Sequence, residues 1–507
     1  MTNENREAFI ALIAPIGINM EQVVRVITEK SKQISYEPNV IKLTDSLVKL
    51  DRVTQNYNTE IERYKEYIKA GDEICKEAGR GDILAMLGIA EILSVGPEQR
   101  EKDVGRRRLN IIRQIKRLEE YRTLERVYGR NIIFVGCFAS QEDRVNYIVD
   151  KLKVADRGSS NSKLESQALE IISIDEDETN QDYGQKIIEC YPKSDFILDC
   201  TSLKTLESSC ERLFEIYFGH PFISPTVDEY ASCIANAAAY RSLDLSRQVG
   251  AAIFGDSGEI ISMGCNEIPA PFGGTYWCHH TNDARDYILG YDSNQRVRED
   301  MARDALFKLK EAGWLSDDFK DRELNDLVSE VFKKKSVGDE KPDGPWRQSM
   351  ISDIIEYGRM VHAEMNALAD AARFRRSTQG ATLYCTTMPC HMCTKLIIAA
   401  GIKRVVYVQP YVKSLTKELY KDSVVFESEK ENYITFCTLK GVTPAGFKRA
   451  FSKSSRRKKD DGSAIIWDKL NASPNFLTTI PYYTTSEREV LYELQKIFGN
   501  MESEKQS

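Results

Sequence analysis

Residues able to bind a divalent metal cluster in two short segments, His362-Ala363-Glu364 and Pro389-Cys390-His391-Met392-Cys393. One imidazole and two thiolates suit zinc in a tetrahedral site that leaves a fourth position to water. Zinc lowers the pKa of such a water far enough to supply hydroxide near neutral pH. Glu364 lies two residues beyond the histidine and is left free to accept and return protons, which a fourth ligand could not do. A lone C-x-x-C also reads as a redox pair or as half of a structural zinc site. No second C-x-x-C is present to complete a four-cysteine site, and His362 carries its glutamate at the required offset, so the catalytic reading is preferred. His391, between the cysteines, is expected to point elsewhere.

The elements that must hold these groups can be read around them. Residues 362–374 and 390–400 read as helices and 381–387 and 403–408 as strands, so both motifs fall at helix starts. The exposed N–H groups and the dipole there favour thiolate at Cys390 and Cys393. Pro389 suits the turn from strand into helix, and the small Ala363 lets a substrate approach the backbone. Upstream, a helix over 226–243 precedes a hairpin of 249–254 and 259–265 closed by Gly255-Asp256-Ser257-Gly258. A polar insertion at 279–350, helical near 296–313, separates the hairpin from the motifs.

In the first half, short apolar strands at 9–14, 41–43, 132–136, 169–174 and 196–198 alternate with helices at 20–33, 58–78, 82–127, 141–153 and 203–217. This is the α/β pattern of a parallel sheet covered on both faces. His220-Pro221 and Ser224-Pro225 mark the boundary, giving domains 1–220 and 221–507. A chain of 507 residues is too long for one core. Its net charge of −7 argues against a nonspecific nucleic-acid binder. No run of 18 apolar residues is present and Met1–Phe9 is polar, so neither a membrane span nor a secretory signal is expected. The 12 cysteines are then reduced thiols in the cytoplasm. Arg106-Arg107-Arg108, Arg113, Lys116 and Arg117 read as a basic helix, either a solvated face or an RNA or nucleotide contact. Cys278-His279-His280 could contribute to a second zinc site, and Ser452–Gly462 reads as a solvated loop.

Residues 225–450 resemble the deoxycytidylate-type branch of the cytidine deaminase superfamily, on Ser246-Arg247-Gln248-Val249-Gly250-Ala251-Ala252-Ile253, Met263-Gly264-Cys265-Asn266-Glu267 and the two metal motifs. The whole chain is similar to the bacterial anti-phage dCTP deaminases, through Leu124–Gly129, Gly184-Gln185 and Pro410-Tyr411-Val412-Lys413-Ser414. The resemblance implies a cytidine-deaminase-like α/β/α domain behind an N-terminal P-loop-kinase-like domain. It implies zinc-dependent hydrolysis of dCTP to dUTP, and of dCMP in some members, with Glu364 protonating the ring nitrogen and the leaving ammonia. It also implies a homo-oligomer, depletion of the dCTP pool during infection, and a regulatory RNA or nucleotide at the N-terminal domain. Asn266 would meet the sugar, a turn-capping role being the alternative. Arg247, Lys413 and Ser414, at strand ends beside a pocket mouth, would meet phosphates unless the charges are simply exposed. One departure is plain: Ala14-Pro15-Ile16-Gly17-Ile18-Asn19-Met20 has one glycine and no lysine, so phosphotransfer by the first domain is not expected. The alternatives are a housekeeping dCMP deaminase, a polynucleotide deaminase, which would need a basic channel, and a regulatory protein with an inactive deaminase half, against which the intact motifs speak.

Overall fold

The computed structural model describes residues 7–54, 56–57, 59–94, 107–155, 160–176, 184–334, 343–347, 349–411, 414–453, 455–474 and 483–506. The chain forms two compact units, 1–229 with 439–507, and 230–438. Among the described residues no helix is long and apolar enough to cross a membrane.

The first unit is built on five parallel strands: β1 (Glu7–Ile13), β2 (Glu37–Lys42), β3 (Arg108–Ile115), β4 (Ile132–Phe138) and β5 (Phe196–Asp199). They lie in the order β5-β4-β1-β3-β2, and Gly441–Val442 adds antiparallel to β5. Every residue of β1 is buried, as a central strand covered on both faces requires. Ala8, Ile10 and Leu12 face one core, beside the helices Met20–Gln33 and Leu203–Tyr217. Phe9, Ala11 and Ile13 face the other, beside Ile83–Ser94, Leu118–Tyr128 and Tyr483–Gln506.

Four expectations are corrected here. The long helix expected over 82–127 is two helices, Ile83–Ser94 and Leu118–Tyr128, with the inner strand β3 between them. β3 carries a buried asparagine, Asn110, which is stabilised by hydrogen bonds to Glu7 Oε1 at 2.7 Å and from Asn39 Nδ2 at 2.8 Å. The basic stretch is therefore no helix face: Arg113 pairs with Glu21, and Lys116 and Arg117 are buried in ion pairs with Asp175 and with Asp72 and Glu120. Arg106 lies outside the described residues. Residues 169–174, expected as a strand, belong to the helix Asn161–Glu176, whose buried positions Leu164, Ala168, Ile171, Ile172 and Asp175 follow helical spacing. Residues 439–507, which the sequence groups with the second domain, fold with the first unit.

In the second unit β6 (Gly250–Phe254), β7 (Ile260–Cys265), β8 (Thr382–Thr387), β9 (Arg404–Gln409), β10 (Val424–Phe426) and β11 (Ile434–Thr438) form one sheet. The order is β10-β11-β9-β8-β6-β7, with the β6–β7 hairpin and the β6–β8 pair antiparallel and the rest parallel. The insertion has a small core of its own, Ala302 and Leu306 from the helix Ser293–Glu311 against Leu327 and Val328. Its start is anchored by Arg285, which lies 3.6 Å from the buried Glu267 and also pairs with Asp283.

Candidate active site

The site begins with one close approach. Gly264 of β7 lies against the helix Ala363–Arg373: a Cβ built there would come within 2.3 Å of Ala363 O and 2.5 Å of Ala367 N. Only glycine lets the helix sit this low on the sheet. Ser262 Oγ donates to Ala367 O at 2.8 Å and Asn366 Nδ2 to Cys265 O at 3.0 Å, fixing the register. His362 is the N-cap residue of that helix and Cys390 the N-cap residue of His391–Ala399. A hydroxyl chain clamps the second motif: Ser414 Oγ donates to Pro389 O, contacts Thr416 Oγ1, and Thr416 contacts Thr394, which donates to Cys390 O.

The two helix starts bring three donor atoms together. His362 Nδ1 lies 3.4 Å from Cys390 Sγ and 3.3 Å from Cys393 Sγ. All three ligand atoms fall within 4.8 Å of one another, and among the described residues this is the one group of three or more such side chains so placed. A tetrahedral ion with Zn–S about 2.3 Å and Zn–N about 2.0 Å needs N···S edges of about 3.5 Å, so the residues fit zinc. Hydrogen bonding from Cys393, helped by the His362 imidazole, pulls Cys390 down to about 4 against the effect of burial. The same bond pushes Cys393 well above its ordinary range. Burial opposes charge on His362, but Cys390 outweighs it and the imidazole pKa rises. Glu364 is 4% exposed, and burial, with the Cys390 charge second, raises its pKa.

A cavity of about 260 Å³ opens over this cluster, lined by His362, Ala363, Glu364, Cys390, Asn266 and Arg247, as well as by residues the sequence reading missed. The insertion contributes Asp286, Asp292, Asn294 and Arg298 to its wall, and the segment before His362 contributes Arg359 and Met360. Arg298 donates to Ser352 O and Gln295 Oε1 while its Nε is buried with no partner. Arg359 pairs with Asp286 at 3.1 Å. The adjacency of Gly358-Arg359-Met360-Val361 to His362 was the one sequence signal for any of these; Arg298 had none.

Asn266 is 6% exposed and both ends of its amide are used: Oδ1 accepts from Val249 N at 2.7 Å and Nδ2 donates to Arg247 O at 2.9 Å. Arg247 is exposed, its guanidinium 5.0 Å from the centre of the Tyr411 ring. Ser414 is buried under the cysteine loop and is not among the cavity-lining residues. Lys413 lies outside the described residues. Cys278 and His279 are exposed, and Cys278-His279-His280 does not assemble a second metal group among the described residues. His391 turns to Glu356, at 3.4 Å, away from the donor cluster.

The site thus combines three donors suited to a divalent metal, a buried carboxylate beside them and a cavity above. Residues 225–409 match the family described as the cytidine and deoxycytidylate deaminase zinc-binding region. The chain is 40% identical over 74 residues to ComE operon protein 2 of Bacillus subtilis, covering 14% of this chain and 39% of that protein. It is 48% identical over 54 residues to the deoxycytidylate deaminase of Enterobacteria phage T2, covering 11% and 29%. To the human deoxycytidylate deaminase it is 35% identical over 132 residues, covering 26% and 61%. The chain thus spans less than two thirds of the length of each of these relatives. The crystal structure of dCMP deaminase from cyanophage S-TIM5 aligns at a TM-score of 0.22 and 16% identity, over 43% of this chain and 100% of that one.

Proposed function

We propose that the second unit deaminates deoxycytidine nucleotides hydrolytically, with dCTP converted to dUTP and ammonia. The observation that carries this reading is the buried Glu364 on the cavity wall beside the His362-Cys390-Cys393 cluster. His362, Cys390 and Cys393 would hold zinc, whose chemistry is to make a hydrolytic water acidic near neutral pH. Glu364 takes a proton from the attacking water and delivers it to the ring nitrogen. It then serves the departing amine, so that the C4–N bond breaks, a C4 carbonyl remains and ammonia leaves. Burial suits it to this work, because a carboxylate whose pKa is raised toward neutrality both accepts and releases protons.

The phosphorylated substrate is supported by Arg247, Arg298 and Arg359 on the cavity wall, since guanidinium groups hold phosphate oxygens through paired charge-assisted bonds. A second reading, dCMP as the principal substrate, is supported by the names of the phage T2 and human relatives. The resemblance to anti-phage dCTP deaminases extends the proposal to a cytoplasmic homo-oligomer that depletes the dCTP pool, controlled through a kinase-like first unit by an RNA or a nucleotide. Chromatography of products from dCTP, dCMP and deoxycytidine tests the substrate. We expect the nucleotides to be converted and deoxycytidine hardly at all. Arg298→Ala should raise KM for dCTP about tenfold or more, as loss of one charge-assisted bond of about 1.5–3 kcal/mol requires. Equal turnover of deoxycytidine and dCTP would remove the phosphate contact from the account.

A further inference from the structure

Glu267, directly after Asn266, is a carboxylate only 1% exposed, and burying a charge is costly unless it is paired and hydrogen-bonded. Its main chain serves the metal site: Glu267 N donates to Val361 O at 3.2 Å and Val361 N to Glu267 O at 3.1 Å, beside the donor His362. Its side chain serves two other segments. Oε2 accepts Leu243 N at 3.0 Å and lies 3.6 Å from Arg285 Nη1, while Oε1 accepts Ile268 N at 2.9 Å. Two main-chain donors and a guanidinium thus share one carboxylate, whose lone pairs can serve all three. An amide in its place offers one acceptor oxygen and turns an NH2 toward another donor.

Leu243 and Arg285 each open a segment of the cavity wall. From Leu243 the chain turns through Asp244, whose Oδ1 accepts Ser246 N at 2.6 Å and Arg247 N at 2.9 Å, and so delivers Arg247 to the wall. After Arg285 the next residue, Asp286, pairs with Arg359 at 3.1 Å, and Arg359 Nη2 donates to Ala284 O at 3.2 Å. Arg359 N also donates to Ser293 Oγ at 3.2 Å, which ties it to the helix Ser293–Glu311 that carries Arg298. All three arginines line the cavity, and the segments that place them meet at one carboxylate. A buried ion pair often adds no net stability over apolar residues of the same volume. What the Glu267–Arg285 pair supplies is a fixed relation between the two segments.

We infer, on the nucleotide reading above, that Glu267 is a positioning residue for the phosphate end of the cavity. It joins the loop bearing Arg247 to the segment that holds Arg359 and Arg298, and so sets the preference for a phosphorylated nucleoside. The test uses the zinc-loaded full chain and Glu267→Gln, which keeps the side-chain volume and the main-chain bonds to Val361. KM for dCMP and dCTP should rise about tenfold or more, as loss of a charge-assisted phosphate contact requires. Their kcat, the kcat/KM for deoxycytidine and the zinc content should stay close to wild type. A loss shared equally by deoxycytidine and the nucleotides, or a fall in kcat with KM unchanged, would overturn the role, because a generally loosened site loses transition-state contacts for every substrate. Equilibrium dialysis with dUMP and deoxyuridine reads the same preference without turnover. Wild type should bind dUMP the more tightly, and Glu267→Gln should lose about tenfold of that margin. An unchanged margin, or none in the wild type, overturns the role. A wild type that converts no nucleotide yet shows the margin, with the variant lacking it, would sink the deaminase reading and leave the role of Glu267 standing. If Glu267→Gln does not fold, Asp286→Asn, which cuts the next link and keeps the buried pair, is measured in its place: a reduced dUMP margin supports the role and an unchanged one overturns it.

Discussion

Glu364 and the three donors around it occupy one small volume but fail in different ways when changed. Glu364→Gln keeps His362, Cys390 and Cys393 intact, so zinc content should be unchanged while turnover falls by about 10²–10⁴, the usual worth of a positioned proton-transfer group. Metal analysis and a rate measurement on the same preparation check both halves. Cys393→Ala should instead lose the metal, because two donors make a poor site. The fully buried sulfur of Cys393 also packs in the core of this unit, so its thermal transition should fall as well. The cluster of His362, Cys390 and Cys393 was legible in the sequence because each motif is local, with the spacing and the helix start in one stretch of chain. Arg298 was not legible: its place on the cavity wall depends on how the insertion folds back, anchored by Arg285 on Glu267, and no periodicity records that.

At the scale of elements, the site depends on how closely the helix Ala363–Arg373 approaches β7. Gly264→Ala would force a methyl into Ala363 O and Ala367 N. Overpacking of this kind costs about 1–3 kcal/mol, and here the strain falls on the residues next to His362. Weaker zinc retention and a lower melting temperature are expected together, read by dialysis against a chelator and by calorimetry. The elements carrying the motifs were predicted well because hydrophobic runs, proline and glycine mark them. β3 was missed because Arg108, Asn110 and Arg113 give it the composition of a charged helix. Its polarity is resolved only by long-range partners, Glu7 and Asn39 for Asn110 and Glu21 for Arg113. The run at 169–174 failed for the opposite reason, since a short apolar stretch fits a strand and a buried helix equally well.

Across the whole molecule, the chain leaves its first unit near 229 and returns to it at 439. Composition shifts do not reveal such a return, because the returning residues complete a core begun some 400 positions earlier. Tyr483 shows what they add: 4% exposed, it sits edge-on to Phe9 at 5.5 Å, and its hydroxyl donates to Glu7 at 2.9 Å. Tyr483→Ala should cost the first unit about 3–5 kcal/mol, as large-to-small changes at buried aromatics do. Calorimetry should show the transition of that unit move while zinc retention by the second unit stays as in wild type. The central claim, a zinc-dependent deoxycytidine nucleotide deaminase with Glu364 as its proton carrier, is tested most directly by following ammonia and uracil-nucleotide release from dCTP and dCMP with zinc-loaded wild type and zinc-loaded Glu364→Gln. Equimolar ammonia and dUTP or dUMP from the wild type, with almost none from the variant, is the predicted result. No conversion of either nucleotide by the wild type, or equal conversion by both proteins, would contradict it.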